Sequence, residues 1–161
     1  MVRRVTLLAA AIALLSVAVA GAAWAANRIG NDRPNTLVGT TSSDDIFGLG
    51  GDDTLRGLEG DDYLNGGTDD DRLYGGADED YLVGGKGRDT VRGGGDSDRL
   101  IGNLGADDLR GGDGNDIVNG VDNIEGNDFV SGGPGTGDVC RADSYDEIDI
   151  TSCESFSPQA P

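Results

Sequence analysis

Histidine is absent from this chain of 161 residues, which has only two cysteines, one tryptophan and one methionine. Without imidazole, the usual acid–base catalyst and metal ligand near neutral pH is missing, so these classes of site are excluded. The two cysteines do not form a C-x-x-C pair, which excludes that thiol redox motif. Serine never stands in a G-x-S-x-G elbow. The chain is therefore predicted not to be an enzyme.

Positive charge is also scarce. There are 12 lysines and arginines against 30 aspartates and glutamates, and the formal net charge is −18. This balance argues against nucleic acid and anionic membrane surfaces as partners and favours cations. Low hydrophobicity with high net charge is also typical of disordered chains. The sequence pattern, and not the composition, must therefore decide between a folded cation-binding protein and a disordered chain.

The first 25 residues have the pattern of a secretory signal peptide. Arg3 and Arg4 precede the apolar run VTLLAAAIALLSVAVAGAA, and the A-W-A sequence precedes Ala26. We expect cleavage there and a secreted, extracellular protein without membrane insertion after cleavage. The alternative is an uncleaved N-terminal anchor. Outside the cytoplasm, calcium is plentiful and disulfides persist.

A nine-residue repeat runs from Gly30 to Asn119. All ten blocks begin with glycine, and the eighth position is aliphatic in each. The sixth position is asparagine (Asn35) in the first block and aspartate in the other nine, where chance would place only one or two. These residues are Asp44, Asp53, Asp62, Asp71, Asp80, Asp89, Asp98, Asp107 and Asp116. The spacing then slips, and Asp128 restores it.

This period predicts an all-β fold, a parallel β-roll or β-solenoid with two nonapeptides per coil and about five coils. The glycine-rich first six positions would form turns, and the last three a short strand whose aliphatic side chain points inward. One aliphatic residue from each side of a coil would form a thin core. We expect an N-terminal cap with degenerate repeats at 26–47 and the regular roll at 48–119.

The blocks, best exemplified by GGKGRDTVR and GGDGNDIVN, resemble the RTX calcium-binding nonapeptide G-G-x-G-x-D-x-U-x. The resemblance implies a parallel β-roll that binds about six to eight calcium ions between stacked turns. It implies that the sixth-position aspartates, with Asp128, are ligands together with backbone carbonyls of the Gly-x-Gly segments. The glycines concerned are Gly51, Gly60, Gly85, Gly87, Gly105, Gly112 and Gly114.

Some blocks depart from this pattern. The fourth position is aspartate rather than glycine at Asp69, Asp78 and Asp96. Aspartate tolerates a left-handed backbone better than most residues, so we expect these turns to keep their shape.

Alternation along the strands predicts two different outer faces. One carries a stripe of arginines that offsets the acidic turns. The other carries Tyr63, Tyr81, Val83 and Ile101, either as residues that favour strands or as a surface for self-association or for a cell-surface or matrix partner.

The segment 120–155 is predicted to hold irregular repeats and a C-terminal cap, followed by a disordered tail at 156–161. Cys140 and Cys153 would form one intrachain disulfide in an exported protein, the alternative being intermolecular pairing. The GGPGTGDVC ending with its second cysteine resembles the endings of small exported actinobacterial repeat proteins of this type.

The sequence therefore predicts a secreted calcium-binding protein with calcium-dependent folding and a structural or adhesive role. A calcium buffer or sensor without a dedicated partner is the alternative. A β-solenoid hydrolase is disfavoured because such enzymes have much larger coils.

Overall fold

A computed structural model describes residues 24–122, 124, 127–144, 146–149 and 151–158. The predicted signal peptide lies almost wholly outside these residues. No helix in the described part of the chain is long and apolar enough to cross a membrane.

In the described part of the chain, fifteen short strands alternate between two parallel sheets. The eight-stranded sheet, called sheet 1, contains β1 (Asn27–Asp32), β3 (Asp45–Gly50), β5 (Tyr63–Thr68), β7 (Tyr81–Lys86), β9 (Arg99–Leu104), β11 (Ile117–Asn119), β13 (Val139–Ala142) and β15 (Ser155–Pro158). The seven-stranded sheet, called sheet 2, contains β2 (Thr36–Val38), β4 (Thr54–Glu59), β6 (Arg72–Ala77), β8 (Thr90–Gly94), β10 (Asp108–Gly112), β12 (Phe129–Ser131) and β14 (Glu147–Ile148).

Each strand pairs with the strand one coil further along the chain. In sheet 1, Leu64 lies opposite Leu82, and in sheet 2 Leu73 lies opposite Val91. The turns that lead from sheet 1 to sheet 2 form one long edge of the solenoid, called edge 1. The turns that lead back form edge 2. The predicted parallel solenoid with two nonapeptides per coil is confirmed.

The aliphatic eighth-position residues form the core between the sheets. From Ile46 to Val118 each of them is fully buried, and Val130 and Cys140 continue the row. Inward-pointing positions alternate along the chain, so the sixth-position aspartate, the eighth-position aliphatic residue and the next block's first glycine all face the interior. The aspartates therefore line the inside of the solenoid.

The regular strands are longer than the sequence indicated. Most run for six residues, from the seventh position through the third position of the next block, as in β5 and β7. The turns then take only about three positions instead of six. The first glycine is thus part of a strand, because its missing side chain leaves room for the aspartate.

The solenoid has about seven coils rather than about five, because strands form beyond the ten regular blocks. β1 and β2 lie within the segment expected to be a cap and pair with β3 and β4. At the other end, β15 covers Ser155–Pro158 and pairs with β13, so the tail expected to be disordered from residue 156 is a strand as far as Pro158. Residues 159–161 lie outside the described residues.

The intrachain disulfide between Cys140 and Cys153 is confirmed, with a Cα–Cα distance of 5.8 Å. Cys140 belongs to β13, and Cys153 packs against the core just before β15. The crosslink therefore joins the last two strands of sheet 1.

Candidate functional site

Two rows of buried aspartates run the length of the solenoid, one inside each edge. All of the predicted sixth-position aspartates are at most 4% exposed. The row at edge 1 contains Asp53, Asp71, Asp89, Asp107 and Asp128, and the row at edge 2 contains Asp44, Asp62, Asp80, Asp98, Asp116 and Asp138. The two rows together are called the aspartate ladder.

One oxygen of each ladder carboxylate is held by the backbone of the neighbouring coil. The amide N–H of Asp71 donates to Oδ1 of Asp89 at 2.9 Å, and that of Asp89 donates to Oδ1 of Asp107 at 2.9 Å. The same bond recurs on edge 2, where Asp80 donates to Asp98 at 2.9 Å. Each bond spans eighteen residues, so the repeat fixes the carboxylate orientation in every coil.

The second oxygen of every ladder carboxylate except that of Asp44 has no hydrogen-bond partner among the described residues. A buried polar atom without a hydrogen bond costs on the order of 1–3 kcal/mol, and more when it carries charge. The buried Oδ2 atoms concerned belong to Asp53, Asp62, Asp71, Asp80, Asp89, Asp98, Asp107, Asp116, Asp128 and Asp138. So many equivalent orphaned acceptors indicate a ligand that supplies positive charge.

The first glycine of each block makes room for this carboxylate. A Cβ atom added to Gly48 would lie 2.3 Å from Oδ2 of Asp53 and 2.5 Å from the carbonyl oxygen of Gly66. Any side chain at this position would collide with both oxygens. The glycine therefore allows a carboxylate oxygen and a backbone carbonyl to approach the same small space.

Burial raises the pKa of the ladder carboxyls. The pKa rises to about 6 for Asp62 and about 7 for Asp71, and to about 8 for Asp98 and Asp107. In each case burial is the largest cause, the accepted backbone N–H works in the opposite direction, and charges of neighbouring aspartates raise the pKa further. A neighbouring cation would therefore stabilise the ionised form of these carboxylates.

The chemistry of this site fits calcium. Ca²⁺ prefers six to eight oxygen ligands and accepts carboxylates and backbone carbonyls. Among the described residues, no three Cys, Asp or Glu side chains converge on one metal position. Backbone carbonyls or water would therefore have to complete any ligand set. The seven glycines predicted as carbonyl donors all have positive φ, namely Gly51, Gly60, Gly85, Gly87, Gly105, Gly112 and Gly114.

The aspartates that replace glycine at the fourth position keep the turn geometry, as expected. Asp69, Asp78 and Asp96 have φ values of 79°, 73° and 66°. Oδ2 of Asp69 accepts the N–H of Gly51, and Oδ2 of Asp78 accepts that of Gly60, both at 3.0 Å. These side chains thus bind the turn of the preceding coil.

The N-terminal end of the ladder differs from its centre. Asn35 replaces the aspartate in the first block, and its N–H donates to Oδ1 of Asp53 at 2.7 Å. Asp44 accepts hydrogen bonds from the N–H groups of Ala26 and Thr40 on different oxygens. Asp44 therefore has protein partners for both oxygens, unlike the central members.

The ladder continues at its C-terminal end through residues that the nine-residue pattern does not predict. Asp116 donates to Oδ1 of Asp138 at 2.7 Å, and Asp138 donates to Oε2 of Glu154 at 2.7 Å. These residues lie 22 and 16 positions apart, so a search for a period of nine could not find them. The signals in the sequence are the D-x-U-x order that starts at Asp138, with Cys140 in the aliphatic position, and the preceding glycine-rich GGPG at 132–135.

The irregular segment after Asn119 is a lengthened turn at edge 1. Oδ2 of Asp122 accepts the N–H of Gly105, which places Asp122 in the fourth-position column, and Asp128 returns to the sixth-position column. Oδ2 of Asp143 accepts the N–H of Asp122 at 2.9 Å, and Oδ1 of Asp146 accepts that of Asp128 at 3.4 Å. Both columns therefore continue past the irregular segment.

Comparison with known proteins gives one family. A family model for the RTX calcium-binding nonapeptide repeat (4 copies) matches residues 29–64, 56–91 and 92–122. Together these segments cover more than half of the chain. No curated protein matches, and no solved structure does either.

Proposed function

Because the chain belongs to the RTX calcium-binding nonapeptide repeat family and binds calcium, we propose that it is a secreted, non-enzymatic protein whose folding depends on calcium. Its role is structural or adhesive at the cell exterior. The N-terminal pattern supports export with cleavage before Ala26, which the mass of the protein recovered from culture medium would test.

The buried Oδ2 atoms without a hydrogen-bond partner are the observation that supports calcium-dependent folding. Without a cation, each ladder carboxylate must be either protonated or buried as an unpaired charge. With calcium, these oxygens bind a cation, and the repulsion between neighbouring aspartates within each row falls. The central ladder members, with carbonyls of the left-handed glycines, would hold the ions.

An Asp89→Asn variant tests this proposal. The side-chain oxygen of asparagine can still accept the N–H of Asp71, but the buried charge is gone. We expect the calcium concentration needed for folding to rise at least about tenfold, since one ligand is lost. We also expect the metal-free chain to become more stable. Circular dichroism during calcium titration measures both.

Asp113→Asn is the matched control, because the side chain of Asp113 is exposed at edge 2. It removes the same charge from the surface and should leave the calcium midpoint within about twofold. If Asp89→Asn and Asp113→Asn behave alike, or if the wild-type chain is fully folded in excess EDTA, the ladder is not the calcium site.

The aromatic residues of sheet 1 support a contact role. The ring of Tyr63 stacks on that of Tyr81, with centroids 5.5 Å apart, and Phe47 lies 5.5 Å from Tyr63 on the other side. The guanidinium of Arg99 lies 5.5 Å from the Tyr81 ring centre. Neighbouring rings on one sheet can pack against a cell-surface or matrix partner.

A Tyr81→Ser/Ile101→Ser variant separates this role from calcium buffering or sensing. It should fold at the wild-type calcium concentration and lose retention on cell-wall or matrix material. If wild-type protein is not retained on that material in calcium, the adhesive role is wrong and the buffer or sensor role remains.

A further inference from the structure

Sheet 2 carries a column of arginines that is unusual in so acidic a chain. Arg56, Arg92 and Arg110 lie in register with Tyr74 on neighbouring strands, and all three are exposed. Arg72 lies beside them on β6. These four residues are called the arginine column.

The arginines are mostly without acidic partners. Among the described residues, the one ion pair joins Arg110 to Asp108 at 2.8 Å. Arg56 instead lies over the ring of Tyr74, 4.7 Å from its centre. Beside the arginine column lie the exposed residues Gly76 and Gly94, and no side chain projects from the surface at these positions. A bulky partner can therefore reach the guanidinium groups.

A complementary row of carboxylates lies along edge 2. It occupies the four turns that follow β4, β6, β8 and β10, the same strands that carry the arginine column. None of these turns contains lysine or arginine. The exposed members, called the acidic row, are Asp61, Asp78, Glu79, Asp96 and Asp113.

Each of the strands β4, β6, β8 and β10 carries one of these arginines and is followed by a turn with at least one residue of the acidic row, and neighbouring strands lie about 4.8 Å apart. Two copies lying side by side with parallel axes can therefore match charges on every coil. From this geometry we infer that the arginine column of one copy docks on the acidic row of a second copy. The two surfaces are different, so the contact is heterologous and can continue from copy to copy.

This inference rests on the proposed function, because calcium must first reduce the repulsion between chains of net charge −18. Contacts made mainly of exposed charges are weak and are screened by salt. We therefore expect association only in calcium, and its loss between about 0.1 M and about 1 M salt.

Charge reversal in two separate variants tests the contact. Arg56→Glu/Arg92→Glu removes the arginine column, and Asp61→Lys/Glu79→Lys removes the acidic row. In sedimentation equilibrium with calcium, each variant alone should associate at least about tenfold more weakly than wild type, since like charges then face each other. An equimolar mixture of the two should regain association.

Arg88→Glu/Arg99→Glu is the matched control, with the same change in net charge at exposed positions outside sheet 2. It should associate like the wild type. Equal loss in this control, or no recovery in the mixture, would overturn the inference. So would a wild-type protein that folds in calcium yet stays monomeric at about 1 mM, well above the range expected for specific contacts.

Calcium titration by circular dichroism, run on the same samples, distinguishes a failure of the docking contact from a failure of the proposed function. A chain that folds with calcium but does not associate contradicts only the docking contact. A chain that calcium does not fold contradicts the proposed function itself.

Discussion

Two leucines occupy backbone positions that suit glycine. Leu49 and Leu58 stand at the second position of their blocks, where Gly67 and Gly76 follow one coil later, and their φ values are 81° and 99°. A left-handed backbone costs a residue with a Cβ atom roughly 1–2 kcal/mol. These positions are thus local sources of strain within a regular stack.

Leu49→Gly should therefore stabilise the calcium-loaded protein by about 0.5–1 kcal/mol, the relief of strain less the greater chain entropy of glycine. The midpoint of urea unfolding in calcium measures this. Leu104→Gly is the control, because Leu49 and Leu104 are both 48% exposed but only Leu49 has positive φ. The control should lose about 0.5–1 kcal/mol, and a gain in both variants would show that strain is not the cause.

At the scale of the ladder, the raised pKa values mean that either a proton or a calcium ion can neutralise the same buried carboxylates. The pKa values of about 6 to 8 in the folded chain lie above the ordinary aspartate value of 3.8. The metal-free fold therefore binds more protons than the unfolded chain, and its stability falls as pH rises from about 4 to about 8. With calcium present, stability instead rises with pH, because protons compete with the ion for the same carboxylate oxygens.

In EDTA, the β signal should be stronger at pH 5 than at pH 8, while in calcium the ion should be lost progressively as pH falls from about 8 to about 6. Circular dichroism with and without the chelator records both trends. Asp89→Asn should show a weaker pH dependence than the wild type in EDTA. A metal-free chain that is more stable at pH 8 than at pH 5 would contradict the ladder's role.

The C-terminal coils depend on their crosslink. Beyond Gly120 the repeat is irregular, and the last coils carry fewer aliphatic residues between the sheets. A disulfide with a sequence separation of 13 restricts the unfolded chain there. We expect a Cys140→Ser/Cys153→Ser variant to lose about 3 kcal/mol in calcium, measured by urea unfolding. A loss below about 0.5 kcal/mol would mean that the final coils are not part of the cooperative unit.

At the scale of the whole molecule, each coil contacts only its neighbours, so stability is a sum of coil and interface terms. The N-terminal coil has no crosslink, whereas Cys140 and Cys153 join the last strands of sheet 1. Opening should therefore begin at β1 and β2.

Hydrogen exchange in calcium should show β5 to β9 exchanging last and β1 exchanging before β13. Reduction of the disulfide should remove this difference between the two ends. Uniform exchange across all coils would mean that the stack opens as one unit.

The sequence was sufficient for the features that repeat every nine residues. The parallel solenoid, the buried aliphatic row and the left-handed fourth-position aspartates all follow from that period. The number of coils was wrong because the end coils, such as the one that contains Asp138, keep the geometry without the spacing. The inward direction of the aspartates was missed because a turn of six positions was assumed, whereas Gly48 and its equivalents are strand residues.

The eighteen-residue register also determines what happens to the protein surface when the gene gains or loses repeats. The interior pattern recurs every nine residues, but the outer surfaces recur only every eighteen, because successive blocks belong to opposite sheets. Duplication of one whole coil would lengthen the rod and keep tyrosines and arginines on their own sides. Duplication of a single block would leave the interior unchanged but interchange the two sides of every later coil.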